Sequence, residues 1–188
     1  MGHPLTRNAV PDIVKTKLAS GKELIIREVN PNDLPSLAKI YVQVYTAFDV
    51  GEKWDYESAL KMLEDLEGGN HPISVLAELD GKIVGGAFGN VKSWLGKKVM
   101  EAKEIFVDPE CQQGGIGTEL AKERLHRAEV WHGIEEVELV TFADKEHPKS
   151  WHKKMGFELT EGLQMMHGTA SEIKTNLNKA PHGSETKK

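Results

Sequence analysis

The sequence predicts an α/β domain, a mixed and mostly antiparallel sheet flanked by helices, and three observations carry that expectation. Apolar residues alternate in short runs in some segments and recur at helical spacing in others. Their order, β-α-α-β-β-β-α-β-α-β, lacks the strict strand–helix alternation of a doubly wound fold. Finally, 188 residues with 39% hydrophobic and 28% charged content suit one core without disulfide or metal staples.

Leu24–Val29 is β-branched and closed by Asn30-Pro31, which predicts the first strand and then a helix with Asn30 as N-cap. Leu34, Leu37, Ile40, Tyr41, Val44, Tyr45 and Phe48 supply that helix with one apolar face. A second helix is expected over Tyr56–Leu66, ended by Gly68-Gly69. Asp80-Gly81 between Ile73–Leu79 and Lys82–Phe88 is a two-residue hairpin signal, because both turn residues need positive φ. Gly85, Gly86 and Gly89 mark a bend or a close backbone approach in the second of these strands. A longer connection through Trp94 and Gly96 leads to a strand over Val99–Val107. Thr118–Trp131 reads as a helix, Val137–Phe142 as a strand, Ser150–Lys154 as a short helix and Phe157–Met166 as a last strand. Lys and Arg read as spread along exposed helix faces. Residues 1–22 are expected to be an arm, 23–167 the folded domain, and 168–188 a polar tail without a core face.

Composition excludes several functions. Lys+Arg 24 against Asp+Glu 29 gives net charge −5 and pI near 5.9, a poor balance for neutralising nucleic-acid phosphates. No apolar run approaches the roughly 20 residues of a membrane helix, and the N-terminus lacks the apolar stretch of a secretory signal. Cys111 is the one cysteine, so no intrachain disulfide or multi-cysteine zinc site forms, and no His-Glu-x-x-His pair suggests another metal. These features together predict a cytoplasmic protein.

The segment that carries chemistry runs from Val107 to Leu120. A strand ends, Pro109 stops it, a Gly114-Gly115-Ile116-Gly117 turn follows and a helix begins. Glycines let backbone amides face a ligand, and the helix start adds a positive dipole end, so the stretch suits phosphate or pyrophosphate. It is not a dinucleotide fingerprint, since position 120 is Leu, nor a P-loop, since Thr118 rather than Lys follows Gly117.

Gln112-x-x-Gly115-x-Gly117 after Val107-x-Pro109 resembles the acetyl-CoA signature of the GNAT superfamily of N-acetyltransferases. Trp151-His152-Lys153-Lys154-Met155-Gly156-Phe157 resembles a second mark of that family. The resemblance spans Leu24 to Met166. It implies a sheet whose strands splay at the acetyl-CoA site. It also implies pyrophosphate held by the loop Gln112, Gln113, Gly114, Gly115, Ile116, Gly117 and Thr118, and pantetheine bonded at the strand edge near Phe106 and Val107. The reaction implied is direct attack of an amine on acetyl-CoA. Glu104 and Glu101 are the candidate bases, Glu104 the leading one. His152 stands where the family usually has a tyrosine acid; it is a candidate proton donor, or only positions the sulfur.

Phe48…Trp54…Tyr56, Gly89-Asn90…Trp94 and Glu146-His147-Pro148 are similar to aminoglycoside 6′-N-acetyltransferase-like members. Glu52, Asp55, Glu57, Glu64, Asp65 and Glu67 form either an acidic lip for a cationic amine or an ordinary solvated helix face. Trp54, Asp55 and Glu52 are the candidate acceptor contacts. The expected acceptor is a small polycationic amine of aminoglycoside type. A protein or peptide amine, or a non-catalytic acyl-CoA sensor, stays open, and a homodimer is compatible with the family.

Overall fold

The computed structural model describes residues 10–48 and 51–179. Its contacts divide the chain into two compact units, residues 1–140 and 141–188.

The first unit holds a six-stranded sheet in chain order: β1 Ile13–Lys17, β2 Glu23–Glu28, β3 Pro72–Leu79, β4 Lys82–Trp94, β5 Lys97–Val107 and β6 Glu136–Leu139. All neighbours are antiparallel except β5 and β6. Helices α1 (Leu34–Phe48) and α2 (Tyr56–Glu67) cover one face, where Leu37, Tyr41, Ala59 and Leu63 pack on Leu76, Phe88 and Phe106. Helix α3 (Ile116–His132) covers the other, with Ile116 and Leu120 against Val75, Ala87 and Val107. A three-residue 3₁₀ turn, Pro31–Asp33, leads into α1. Asn30 caps it, and Asp33 completes the reciprocal bond. Asp33 also takes both Arg27 Nη atoms at 2.7 and 2.8 Å, tying β2 to the start of the helical layer.

The expected arm is partly a strand. Residues 1–9 lie outside the described residues, but Val10 is buried and β1 pairs with β2 from Ile13 to Lys17. Arg127 of α3 holds the approach to β1, donating to the Pro11 carbonyl at 2.9 Å and to Glu123 at 2.8 Å. Arg124 and Arg127 are thus core residues and not members of a solvated helix face, a reversal of the sequence expectation. The expected long connection at Trp94 is instead a tight hairpin. Leu95 and Gly96 both have positive φ, so β4 and β5 run on to meet at the turn.

The glycines of β4 serve the predicted close approach. A Cβ at Gly85 would lie 2.5 Å from the Phe106 carbonyl oxygen, and one at Gly89 2.7 Å from that of Glu101.

The second unit carries α4 (Glu146–Lys154) and α5 (Ala170–Lys179). The expected last strand does not form among the described residues: 157–166 is irregular, with Leu159, Leu163, Met165 and Met166 exposed. The expected tail is helical over α5, whose one-sided Ile173 and Leu177 are too few to announce it. Residues 180–188 lie outside the described residues.

Candidate active site

β5 parts from β6 midway. Parallel pairing runs from Val99 to Ala102 and stops, while β5 continues to Val107, paired among the described residues only with β4. This is the expected splay. It leaves backbone groups along the last turn of β5 available on one edge, while the Phe106 and Val107 side chains are buried on opposite faces.

The chain then turns sharply. Asp108 Oδ1 accepts the Glu110 amide at 2.9 Å, and Gln112 Nε2 donates to the Val107 carbonyl at 3.0 Å. Gln112 therefore staples the turn from within. Gln113 and Gly115 take φ of +63° and +89°. Gly115 begins α3 with no side-chain cap, so the first-turn amides, including those of Ile116, Gly117 and Thr118, have no intrahelical acceptor. An uncapped helix start beside an open strand edge can receive an anionic group followed by an amide-bearing chain. That is the polarity of a pyrophosphate joined to pantetheine.

Glu101 and Glu104 sit on the strand before this turn. β4 pairs Phe88 with Glu104 but Gly89 with Ala102, so Lys103 is an extra residue, a β-bulge. Along a regular strand, residues three apart point to opposite faces. Here the bulge resets the alternation. Ala102 faces α3 with Ala128 and Trp131, while Glu104 faces α1, where Tyr45 Oη donates to its Oε2 at 2.9 Å. Glu101, paired with Asn90, lies on the same face as Glu104.

The two glutamates differ in electrostatics. Burial pushes the Glu104 carboxyl above the ordinary glutamate range. The hydroxyls of Tyr45 and Tyr41 and the Arg124 charge oppose this, and Glu52 adds to it. Glu101 is also lifted by burial, but Lys92 at 3.1 Å and Lys103 at 3.2 Å outweigh that and hold it below the usual range. Glu101 is a committed ion-pair member, whereas Glu104 is a buried carboxyl that holds its proton more tightly than an ordinary glutamate.

Around Glu104 the aromatic rings form a wall. Tyr41 stacks on Tyr45 at 4.4 Å and meets Trp54 and Phe106 edge-on, each at 5.1 Å. Trp54 is half-buried, and its Nε1 donates to exposed Glu52 at 2.7 Å. Trp54 and Glu52 thus join one cluster with Glu104. Asp55 has another duty: its Oδ1 accepts the Ser58 amide at 2.7 Å as N-cap of α2. In the second unit, the His152 ring lies between those of Trp151 and Phe157, at 5.1 and 5.8 Å. Sequence reasoning missed Tyr41, Tyr45 and Arg124. The tyrosines occupy helical apolar positions indistinguishable from core, and a buried arginine has no local signature.

Among the described residues, no His, Cys, Asp and Glu group could hold a metal ion, and no helix is long and apolar enough to cross a membrane.

Fold and turn define an α/β protein built around a parted sheet edge beside an uncapped helix start. The chain belongs to the acetyltransferase (GNAT) family, whose model matches residues 34–157. An uncharacterized N-acetyltransferase of Methanocaldococcus jannaschii is 30% identical across an alignment of 159 residues that covers 74% of this chain. The chain spans 63% of that relative's length. Aminoglycoside N-acetyltransferase AAC(6′)-Iy, solved in complex with CoA, superposes with a TM-score of 0.63 at 22% identity, covering 79% of this chain and 96% of that one. An aminoglycoside acetyltransferase from an uncultured soil metagenomic sample, solved with sisomicin, gives 0.58 at 23% identity, covering 78% and 95%. At such identities these two structures establish the shared fold.

Proposed function

We propose that this chain is an acetyl-CoA-dependent N-acetyltransferase acting on a primary amine of a small polycationic molecule, with an aminoglycoside as the first candidate. The observation that carries the reading is Glu104: a carboxyl lifted by burial, held by Tyr45, on the strand that opens into the glycine turn.

In this reading the amides from Gln113 to Thr118 bind the pyrophosphate of acetyl-CoA, and the open edge of β5 at Phe106 and Val107 bonds the pantetheine. An ammonium has no lone pair, so Glu104 takes its proton, directly or through water. The freed amine attacks the thioester carbonyl. The C–S bond then breaks, and coenzyme A leaves as thiolate. His152 is the candidate proton donor to that thiolate. Trp54 and Glu52 contribute an aromatic face and a carboxylate, a pairing that attracts ammonium groups. Family membership and the aminoglycoside acetyltransferases among the structural neighbours support the same acceptor class.

Thiol release from acetyl-CoA tests this directly, with kanamycin-type aminoglycosides, polyamines and lysine peptides as acceptors. Release with the first group establishes reaction and substrate class. Release with peptides alone moves the acceptor to protein amines. Silence across the panel with acetyl-CoA still bound would overturn the acceptor class, leaving a different amine or a non-catalytic acyl-CoA sensor.

A further inference from the structure

The bulge that turns Glu104 toward α1 is gripped from behind. Arg124 reaches it from α3, on the opposite face of the sheet, and is only 6% exposed. Its Nη1 donates to the Phe88 carbonyl at 2.9 Å and to the Glu104 carbonyl at 3.0 Å. Phe88 and Glu104 are cross-strand partners at the register shift, so one nitrogen ties both strands where the extra residue enters.

This is an expensive way to fill a core position. The guanidinium is buried deeply enough to lower its affinity for its proton, to about 10. Its Nε has no hydrogen-bond partner among the described residues. No carboxylate side chain forms a salt bridge with it there. A methionine would fill similar volume without a buried charge, and such replacements are often neutral or stabilising. What methionine cannot do is bond two carbonyls on facing strands.

Gly89 completes the device. A Cβ there would lie 2.7 Å from the Glu101 carbonyl oxygen, so β5 can approach β4 beside the bulge only because the position is bare. A bulge free to slip by one residue would carry Glu104 away from Tyr45.

We propose that Arg124 is a positioning residue: by bonding the Phe88 and Glu104 carbonyls it locks the Lys103 bulge and holds the Glu104 carboxyl on the face of Tyr45. The catalytic consequence rests on Glu104 being the base. The positional claim does not.

Two effects of Arg124 on Glu104 have opposite signs, and that makes the claim testable. Glu104 is faced by Tyr41 and Tyr45 from α1, by Glu52 from the segment before α2, and by Arg124 from α3. If Arg124 acts only as a charge, removing it disfavours the carboxylate, and Glu104 titrates at higher pH. If it acts by position, removing it releases the carboxyl from its buried place, and titration falls toward the ordinary range.

The experiment is an NMR titration of the Glu104 side-chain carboxyl in wild type, Arg124→Met and Arg124→Lys, beside steady-state thiol release with an amine that the wild type acetylates. In Arg124→Met the Glu104 titration should fall, with kcat down at least tenfold and KM for acetyl-CoA within about twofold. Arg124→Lys keeps the charge, but its ammonium stops one bond short of the Nη1 position and cannot span both carbonyls, so it should shift Glu104 the same way and lower kcat severalfold. A Glu104 titration that rises or stays fixed in the variants overturns the proposal. Should Arg124→Met fail to fold, Arg124→Lys carries the test alone, and an unmoved titration there is equally fatal. Glu104→Gln separates the two layers. Wild-type turnover in that variant removes the base assignment, while the titration still judges Arg124.

Discussion

The phenol of Tyr45 donates to Oε2 of Glu104 at 2.9 Å, and this bond joins α1 to the strand that ends in the glycine turn. Burial raises the proton affinity of Glu104, and the bond from Tyr45 is the largest influence lowering it. Tyr45 itself, lifted well above the usual tyrosine range by its own burial and then by Glu104, stays a donor at all working pH values. Tyr45→Phe removes a bond that favours the charged carboxylate, so Glu104 should titrate higher. The acid limb of kcat/KM should move to higher pH, with activity largely recovered above it. The pH profile of thiol release checks this. A uniform loss with an unmoved limb would assign Tyr45 to packing.

Replacing Glu104 itself separates activity from stability. A carboxyl whose folded pKa exceeds its unfolded value binds its proton more tightly when folded. Its ionisation therefore costs stability as pH rises through the unfolded and then the folded pKa. Glu104→Gln should remove that cost, so its thermal midpoint should exceed that of wild type at pH 8 and the gap should shrink toward pH 4. Turnover should fall by about 100-fold, the lower end for losing a general base, with acetyl-CoA affinity kept. Melts at the two pH values and one activity assay settle both halves. A variant less stable than wild type at pH 8 contradicts the electrostatic reading.

The parts legible in the sequence are those governed by local physics. Gly114 to Gly117, Asp80-Gly81 and the N-cap Asn30 act within a few residues of themselves, so composition and spacing suffice. The bulge at Lys103 is different. It exists only in the register between β4 and β5, and no local pattern states which residue goes unpaired. Ile13–Lys17 alternates weakly because β1 is an edge strand with lysines at Lys15 and Lys17, and its membership in the sheet is decided by β2. Arg124 and Arg127 look like solvated helix charges until their partners, carbonyls distant in sequence, are known. Of the candidate site, the glycine turn and the two glutamates before it could be picked out from spacing and resemblance. The environment that distinguishes Glu104 from Glu101 could not.

Arg27 and Asp33 supply a stability test far from the candidate chemistry. Arg27 holds Asp33 below the ordinary aspartate range despite burial, with the Asn30 amide assisting. A depressed acid contributes stability that is present above its unfolded value, near 3.8, and is lost as pH falls toward and through the folded value. Asp33→Asn leaves the partly buried Arg27 with Glu78 as its remaining carboxylate, and removes the bidentate bond. Urea unfolding at pH 7 should show a loss of about 2 kcal/mol, the scale of a charge-assisted hydrogen bond. The gap between the two proteins should narrow steadily as the pH falls below 3.8. A difference that persists undiminished in acid would mean that packing, rather than ionisation, sets the effect.

Gly115 allows the anion turn to be tested without disturbing the fold. Its φ of +89° and ψ of −3° lie in the left-handed region, where asparagine and aspartate are the side chains best tolerated. A Cβ there meets no heavy atom within 4 Å, so neither residue needs space to be made. Gly115→Asn and Gly115→Asp therefore add nearly the same shape and differ by one negative charge. If the α3 start cradles pyrophosphate, that charge faces an anion at close range. At about 8 Å and an effective dielectric constant of about 20 such repulsion is worth about 2 kcal/mol, or roughly 30-fold in affinity. Calorimetric titration with acetyl-CoA should find Gly115→Asn within about threefold of wild type and Gly115→Asp weaker than Gly115→Asn by that factor. The penalty should diminish in high salt as the repulsion is screened. Equal affinities for the two variants would place the pyrophosphate elsewhere, because the charge would then have nothing to repel.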